Sequence, residues 1–223
     1  MELSTGKAAH RMPLDQSEQA AGTGPRTAVK RGRPGYDRDS LIRVCVEVFN
    51  RRGYEATSMG ALAQELGISK SAIYHHVKSK EEILDAALSH SLAELERVVA
   101  DAEALEVAAV AELETIIAES VNVLTRSLPY VTLLLRLRGN SELETAALAR
   151  RREITRRIAD LIHQAQDDGD LRQDLDARTA SRLAMGTVNS IVDWYRPDRA
   201  DAAAPLADTV VCLLLAGLRT PAR

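Results

Sequence analysis

The sequence predicts an all-α protein, with an N-terminal three-helix helix-turn-helix domain joined by a long helix to a C-terminal helical domain. Three observations carry this. Aromatic residues are only 3% of the 223 residues, so Leu, Ile, Val and Ala must fill the interior; with Glu and Arg alongside, that bias favours helices over strands. Apolar residues recur at steps of three and four through most of the chain. Two short helical segments are joined by a Gly-containing turn between Ser58 and Val77. The hydrophobic fraction of 45% is enough for a core.

Residues 1–30 are rich in Ala, Gly, Ser, Thr and Gln without a period, and read as a disordered leader. Lys30-Arg31-Gly32-Arg33-Pro34-Gly35 then concentrates cations where no helix can run. Arg31 and Arg33 on such an arm can follow phosphates or enter a minor groove, or simply remain solvated.

From Asp39 the period is helical: Ile42, Cys45 and Phe49 make one stripe, flanked by Leu41 and Val48. Arg51-Arg52-Gly53 ends it with positive charge at the negative pole and a glycine stop. Ser58 is an N-cap for a short helix with Met59, Leu62, Ala63 and Leu66 inward. Gly67-Ile68-Ser69 is the turn: the glycine suits a positive φ, and Ser69 caps the next helix, Lys70–Val77. On the helical wheel Ile73, Val77, Ala72 and His76 share one half. Lys70, Ser71, Tyr74, His75 and Lys78 share the other, with no acid among them. A solvated face would carry Glu or Asp; a face of donors and one planar ring suits phosphates and base edges. Ser79-Lys80-Glu81-Glu82 opens a capping box, with Lys80 against the usual dipole preference, as a phosphate opposite it would explain. That helix runs through Leu92 and Leu95 to about Ala104.

Charge follows the same division. Residues 26–80 hold eleven Lys/Arg against five Asp/Glu, a net of +6, although the whole chain is −3. One part is built to meet phosphate and the other is not. The predicted domains are therefore the leader 1–30, a DNA-binding domain 31–82 and a second domain 83–223.

Gly53-Tyr54-Glu55-Ala56-Thr57-Ser58, Leu62-Ala63, Leu66-Gly67-Ile68-Ser69 and Ile73-Tyr74-His75-His76-Val77-Lys78-Ser79-Lys80-Glu81-Glu82-Ile83-Leu84 closely resemble the signature of the TetR family of bacterial repressors. The match spans roughly residues 37–90, with Val77 where Phe is commoner. It implies a homodimer that binds a palindromic, double-stranded DNA operator and is released by a small-molecule effector held in a ligand-binding and dimerisation domain. By position, Ser58, Tyr74, His76 and Lys80 are implied phosphate contacts, and Lys70, Ser71 and His75 groove-facing residues. His76 stays open between phosphate contact and an edge-of-core histidine.

Further helices are predicted at 107–127, 130–138, 143–168, 177–195 and 205–218, broken at Pro129, at Gly139-Asn140-Ser141 and at Asp168-Gly169-Asp170. Arg150-Arg151-Arg152 with Arg156-Arg157 reads as a solvated face. The last two helices are rich in Ala, Leu, Val and Ile; the resemblance makes them a dimer interface, while a monomer core is the other reading. Asn189 followed by Trp194-Tyr195-Arg196-Pro197 resembles TetR-type regulators of fatty-acid and aromatic-acid breakdown, several of which sense acyl-CoA thioesters. Asn122, Arg136, Arg138, Asn189 and Trp194 are the effector candidates. A repressor of an efflux gene answering to drugs or antibiotics, and an effector-independent DNA binder, are the alternatives.

No Gly-rich phosphate loop, His–Glu metal motif or nucleophile elbow is present, and His10, His75, His76, His90 and His163 lack ligand spacing apart from the adjacent pair. No catalytic, cofactor or metal site is expected. Cys45 and Cys212 lie on apolar helical stretches and read as core thiols in a reducing cytoplasm, the expected location.

Overall fold

The computed structural model describes residues 36–198 and 205–219, and the leader and the Arg31/Arg33 arm lie outside them. The described residues form helices α1 (Arg38–Arg52), α2 (Met59–Leu66), α3 (Lys70–Tyr74), α4 (Lys80–Glu103), α5 (Ala109–Arg126), α6 (Leu128–Leu135), α7 (Glu142–Asp167), α8 (Ala177–Trp194) and α9 (Leu206–Leu218).

Local chemistry sets the boundaries. Asp37 caps α1, Ser58 caps α2 and Ser69 caps α3, each side chain accepting a backbone N–H from the first turn. Gly67 closes α2 at φ 67°, the left-handed conformation that favours glycine. Ser79 caps α4, accepting from the Glu82 N–H at 3.2 Å. Glu82 does not complete the expected capping box. Its carboxylate instead accepts the Lys78 N–H at 2.7 Å and the Arg38 guanidinium at 3.0 Å, which fastens α4 to α1. α6 begins before Pro129, which occupies its first turn, where a missing N–H costs nothing. Buried Glu144 accepts the N–H groups of Gly139 and Asn140 at 2.9 and 3.0 Å, fixing the turn into α7.

α1 packs against α2, α4 and α6, α2 packs against α3, and α5 lies among α4, α7, α8 and α9. Phe49 lies edge-on to Tyr54 at 5.1 Å, and Leu41, Leu62, Ile73 and Leu84 are buried in the same core. α6 ties to α1 through Asn50: its side-chain amide donates to the Pro129 carbonyl at 2.8 Å, and its own carbonyl accepts from Arg136 at 2.5 Å. At the far end an isolated bridge joins Leu171 to Arg219, which also pairs with Glu114.

The two thiols differ. Cys45 is buried, and burial pushes its pKa up to about 12, so it is an inert core group. Cys212 corrects the sequence expectation: it is exposed on α9, because the buried stripe of that helix runs through Val210 and Leu215 instead. No described helix is long and apolar enough to cross a membrane.

Candidate nucleic-acid interface and ligand cavity

α3 is the shortest helix among the described residues, and buried Ile73 anchors it. The sequence places its end at Val77; α-helix ends at Tyr74, because the His76 N–H turns back to the Ile73 carbonyl in an i−3 bond. Val77 is still buried, so the chain keeps its inward and outward halves. Lys70, Ser71, Tyr74, His75 and Lys78 are all exposed, Tyr74 by 47%. An exposed tyrosine ring beside two lysines and a histidine, with no acid on the helix, is a surface of donors and one flat apolar plate.

The flanking residues are more engaged. The Ser58 hydroxyl accepts the Ala61 N–H at 3.2 Å and keeps its own proton free to donate. Ser71 shares a 2.9 Å hydrogen bond with Ser69. His76 is half-buried toward the start of α1. There it adds a small charge effect to Asp37, whose carboxyl is held low chiefly by the Ser40 N–H and hydroxyl. Lys80 is committed furthest: its side chain is 17% exposed, its Nζ donates to the Tyr54 carbonyl at 3.0 Å, and it stands 4.1 Å over the Tyr54 ring. Lys80 therefore ties the first turn of α4 to the α1–α2 loop. The sequence shows no signal of this, since Tyr54 is far from it along the chain. Arg51 and Arg52 share Glu65 at 2.5 and 2.9 Å, locking the end of α1 to α2.

A cavity of about 560 Å³ lies among α4, α6, α7 and α8. Leu95, Val131, Leu135, Ile154, Met185 and Val192 give it apolar walls; Arg136, Arg151, Arg182, Asn189 and Asp193 supply polar groups. Its size falls within the range of small-molecule sites. Of the effector candidates, Arg136 and Asn189 line it. The other three lie elsewhere. Asn122 is exposed on α5 and bonded to Glu119, Arg138 is exposed in the α6–α7 turn, and Trp194 is 56% exposed at the end of α8. Arg151 corrects the sequence expectation of a solvated face. It sits half-buried in the cavity wall, where desolvation and then Arg152 lower its pKa, and its nearest acceptor is the Leu134 carbonyl at 3.4 Å.

Residues 41–87 match the model of a family described as bacterial regulatory proteins, tetR family, and residues 106–218, about half of the chain, match one described as tetracyclin repressor-like, C-terminal domain. The chain belongs to the tetR family. This TetR-family transcriptional regulator is 27% identical over 205 residues to the HTH-type transcriptional repressor KstR2 of Rhodococcus jostii, covering 87% of this chain and 95% of that one. Among solved structures it is 47% identical to SCO3833, a TetR regulator of Streptomyces coelicolor, with a TM-score of 0.73 over 81% of this chain and 91% of that one. AibR in complex with isovaleryl coenzyme A and operator DNA shares the fold at 23% identity, with a TM-score of 0.68 over 80% of this chain and 97% of that one. The first of these family matches, residues 41–87, runs from α1 into the start of α4, the part of the chain in which the sequence predicts the helix-turn-helix fold.

Proposed function

We propose that this regulator is a homodimeric repressor that binds a palindromic operator through α3 and is released by an effector in the cavity among α4, α6, α7 and α8. The exposed, acid-free face of α3 carries the reading. Lys70, Ser71, Tyr74 and His75 meet base edges and backbone. Ser58, His76 and Lys80 hold flanking phosphates, Lys80 while still braced on Tyr54, and Arg31 and Arg33 extend the contact from the arm. The working division is a leader 1–30, a DNA-binding domain 31–82 and an effector-binding and dimerisation domain 83–223.

Dimerisation through α8 and α9 is supported by Leu183 and Leu213, 67% and 68% exposed on either side of an apolar groove between these helices. Two such protomers would present their α3 helices to successive turns of one DNA face. Release is supported by α6, which lines the cavity and holds α1 through Asn50. The effector must bind the DNA-incompetent arrangement more tightly than the competent one. An acyl-CoA suits the apolar walls and cationic groups of the cavity, and AibR, of the same fold, has been seen with isovaleryl coenzyme A.

Electrophoretic mobility shift with genomic fragments, repeated over a salt series, tests the reading. Sequence-specific retardation that weakens with salt and is relieved by an acyl-CoA is expected. Binding that shows no sequence preference at any fragment overturns it.

A further inference from the structure

The cavity is not closed by its own chain. Of the α8 residues that line it, Arg182, Gly186, Ser190 and Asp193 are exposed, so it opens beside the outer face of that helix. At 100° per residue Arg182, Gly186 and Asp193 fall within about 40° of one another, in one stripe along α8. Exposed Leu183 and Trp194 flank that stripe, with Ser190 between.

Gly186 has no reason within its own chain to be glycine. It stands inside an 18-residue helix, where glycine is weaker than alanine. Its φ is not positive, and a Cβ built there would meet nothing within 4 Å. Bare backbone on an exposed helix face admits a close neighbour from outside.

The charges at either end of the stripe fit one kind of neighbour. Along α7 most ions are matched within the chain: Arg150 binds Glu96 at 2.8 and 2.7 Å, and Arg156 grips Glu153 and Asp160. Arg182 and Asp193 have no opposite charge at ion-pair distance among the described residues. Asp176, the cap of α8, already accepts the Thr179 N–H and hydroxyl at 2.8 and 2.7 Å. Asp193 is the one acid within α8, eleven residues or about 16.5 Å from Arg182. A parallel copy of α8 would set like charge against like. An antiparallel copy, related by a twofold axis near Thr187, brings Arg182 opposite Asp193 of the partner subunit and the reverse, with Gly186 of each chain near the crossing.

We propose that each cavity is closed by a second copy of the chain: α8 packs antiparallel on its twin, two reciprocal Arg182–Asp193 ion pairs bridge the cavity mouths, and the effector touches both protomers. This rests on the dimer reading above and adds the register and the shared site. Effector binding and dimerisation are then linked, each strengthening the other. Trp194, the one tryptophan of the sequence, adjoins Asp193 and reports the contact: it is 56% exposed on the single chain and covered in the dimer.

The test compares the full chain with Arg182→Asp, Asp193→Arg and the double swap Arg182→Asp/Asp193→Arg. Sedimentation equilibrium and acrylamide quenching of Trp194 read dimerisation, with concentration-dependent urea unfolding where the dimer is too tight to dilute apart. Each single reversal sets like charges together twice per dimer and should weaken dimerisation roughly 100-fold at unchanged helix content. The double swap should return it to within about threefold of wild type. Octanoyl-CoA should bind the wild-type dimer roughly tenfold tighter than the monomer that the reversals supply. A wild-type chain that stays monomeric brings down the dimer reading and this inference together. A dimer indifferent to the single reversals, or not rescued by the swap, overturns the register and leaves the dimer standing. Equal octanoyl-CoA affinity for monomer and dimer overturns the shared cavity alone. Octanoyl-CoA that binds neither form overturns the shared acyl-CoA site and leaves the ion pairs to stand on the swap.

Discussion

Two parts of this regulator concentrate cations, and they differ in what surrounds the charge. On α3 and the turn that follows it, Lys70, His75 and Lys78 are exposed on a stretch that itself carries no acid, open to a partner as wide as a duplex. Along α7 the arginines are denser, yet Glu96, Glu103, Glu153 and Asp160 take up Arg150, Arg157 and Arg156. What is left, Arg151 and Arg152, lies in concave walls that no double helix fits. A run of basic residues thus says little by itself. The opposing helix and the curvature decide what the charge can meet.

That contrast can be broken in five places. The largest effect is expected at Ile73, the one buried side chain of α3. Ile73→Ala should cost about 3 kcal/mol of stability and abolish retardation near the melting point, seen by thermal denaturation and gel shift together. Next, Lys70→Ala with His75→Ala should weaken operator binding roughly 100-fold at unchanged melting temperature, since both side chains are exposed. Arg152→Ala with Arg156→Ala should leave operator affinity alone; a comparable loss there would erase the distinction. Ser58→Ala removes the α2 cap and should lower stability by about 1 kcal/mol, read by chemical denaturation. The smallest effect belongs to Arg150→Ala. Its pair with Glu96 is about 40% exposed on both sides, so about 0.5 kcal/mol is expected despite the bidentate geometry.

The head was legible in the sequence because its determinants are local. Ser58, Gly67 and Ser69 act within a few residues of themselves, and the wheel of Lys70–Val77 needs only the helical period. The exact end of α3 was not legible, since the i−3 bond of His76 depends on how the next turn packs. Lys80 is read from helix polarity and from the family resemblance, and its place over Tyr54 comes from a loop distant in the chain. Arg151 and Arg156 look alike in sequence. One lies half-buried against α6 and α8 and the other is solvent-exposed, a difference only tertiary packing creates. Cys212 likewise depended on which stripe of α9 faces α5. Of the effector candidates, Arg136 and Asn189 share the cavity because α6 and α8 flank it, whereas Asn122 and Trp194 sit on surfaces turned away.

α4 begins beside the reading head and ends among the helices that wall the cavity, without a break over 24 residues. At 1.5 Å per residue it is a rod of roughly 36 Å. A tilt of about 5° about its far end would carry Lys80 through about 3 Å, close to the roughly 3.4 Å rise of one base step along a strand. With Lys80 clasped to Tyr54 and Glu82 to Arg38, the head has little freedom to stay behind. On the proposed reading, a change in the cavity too small to alter any single helix would be magnified into nearly one base step at the DNA.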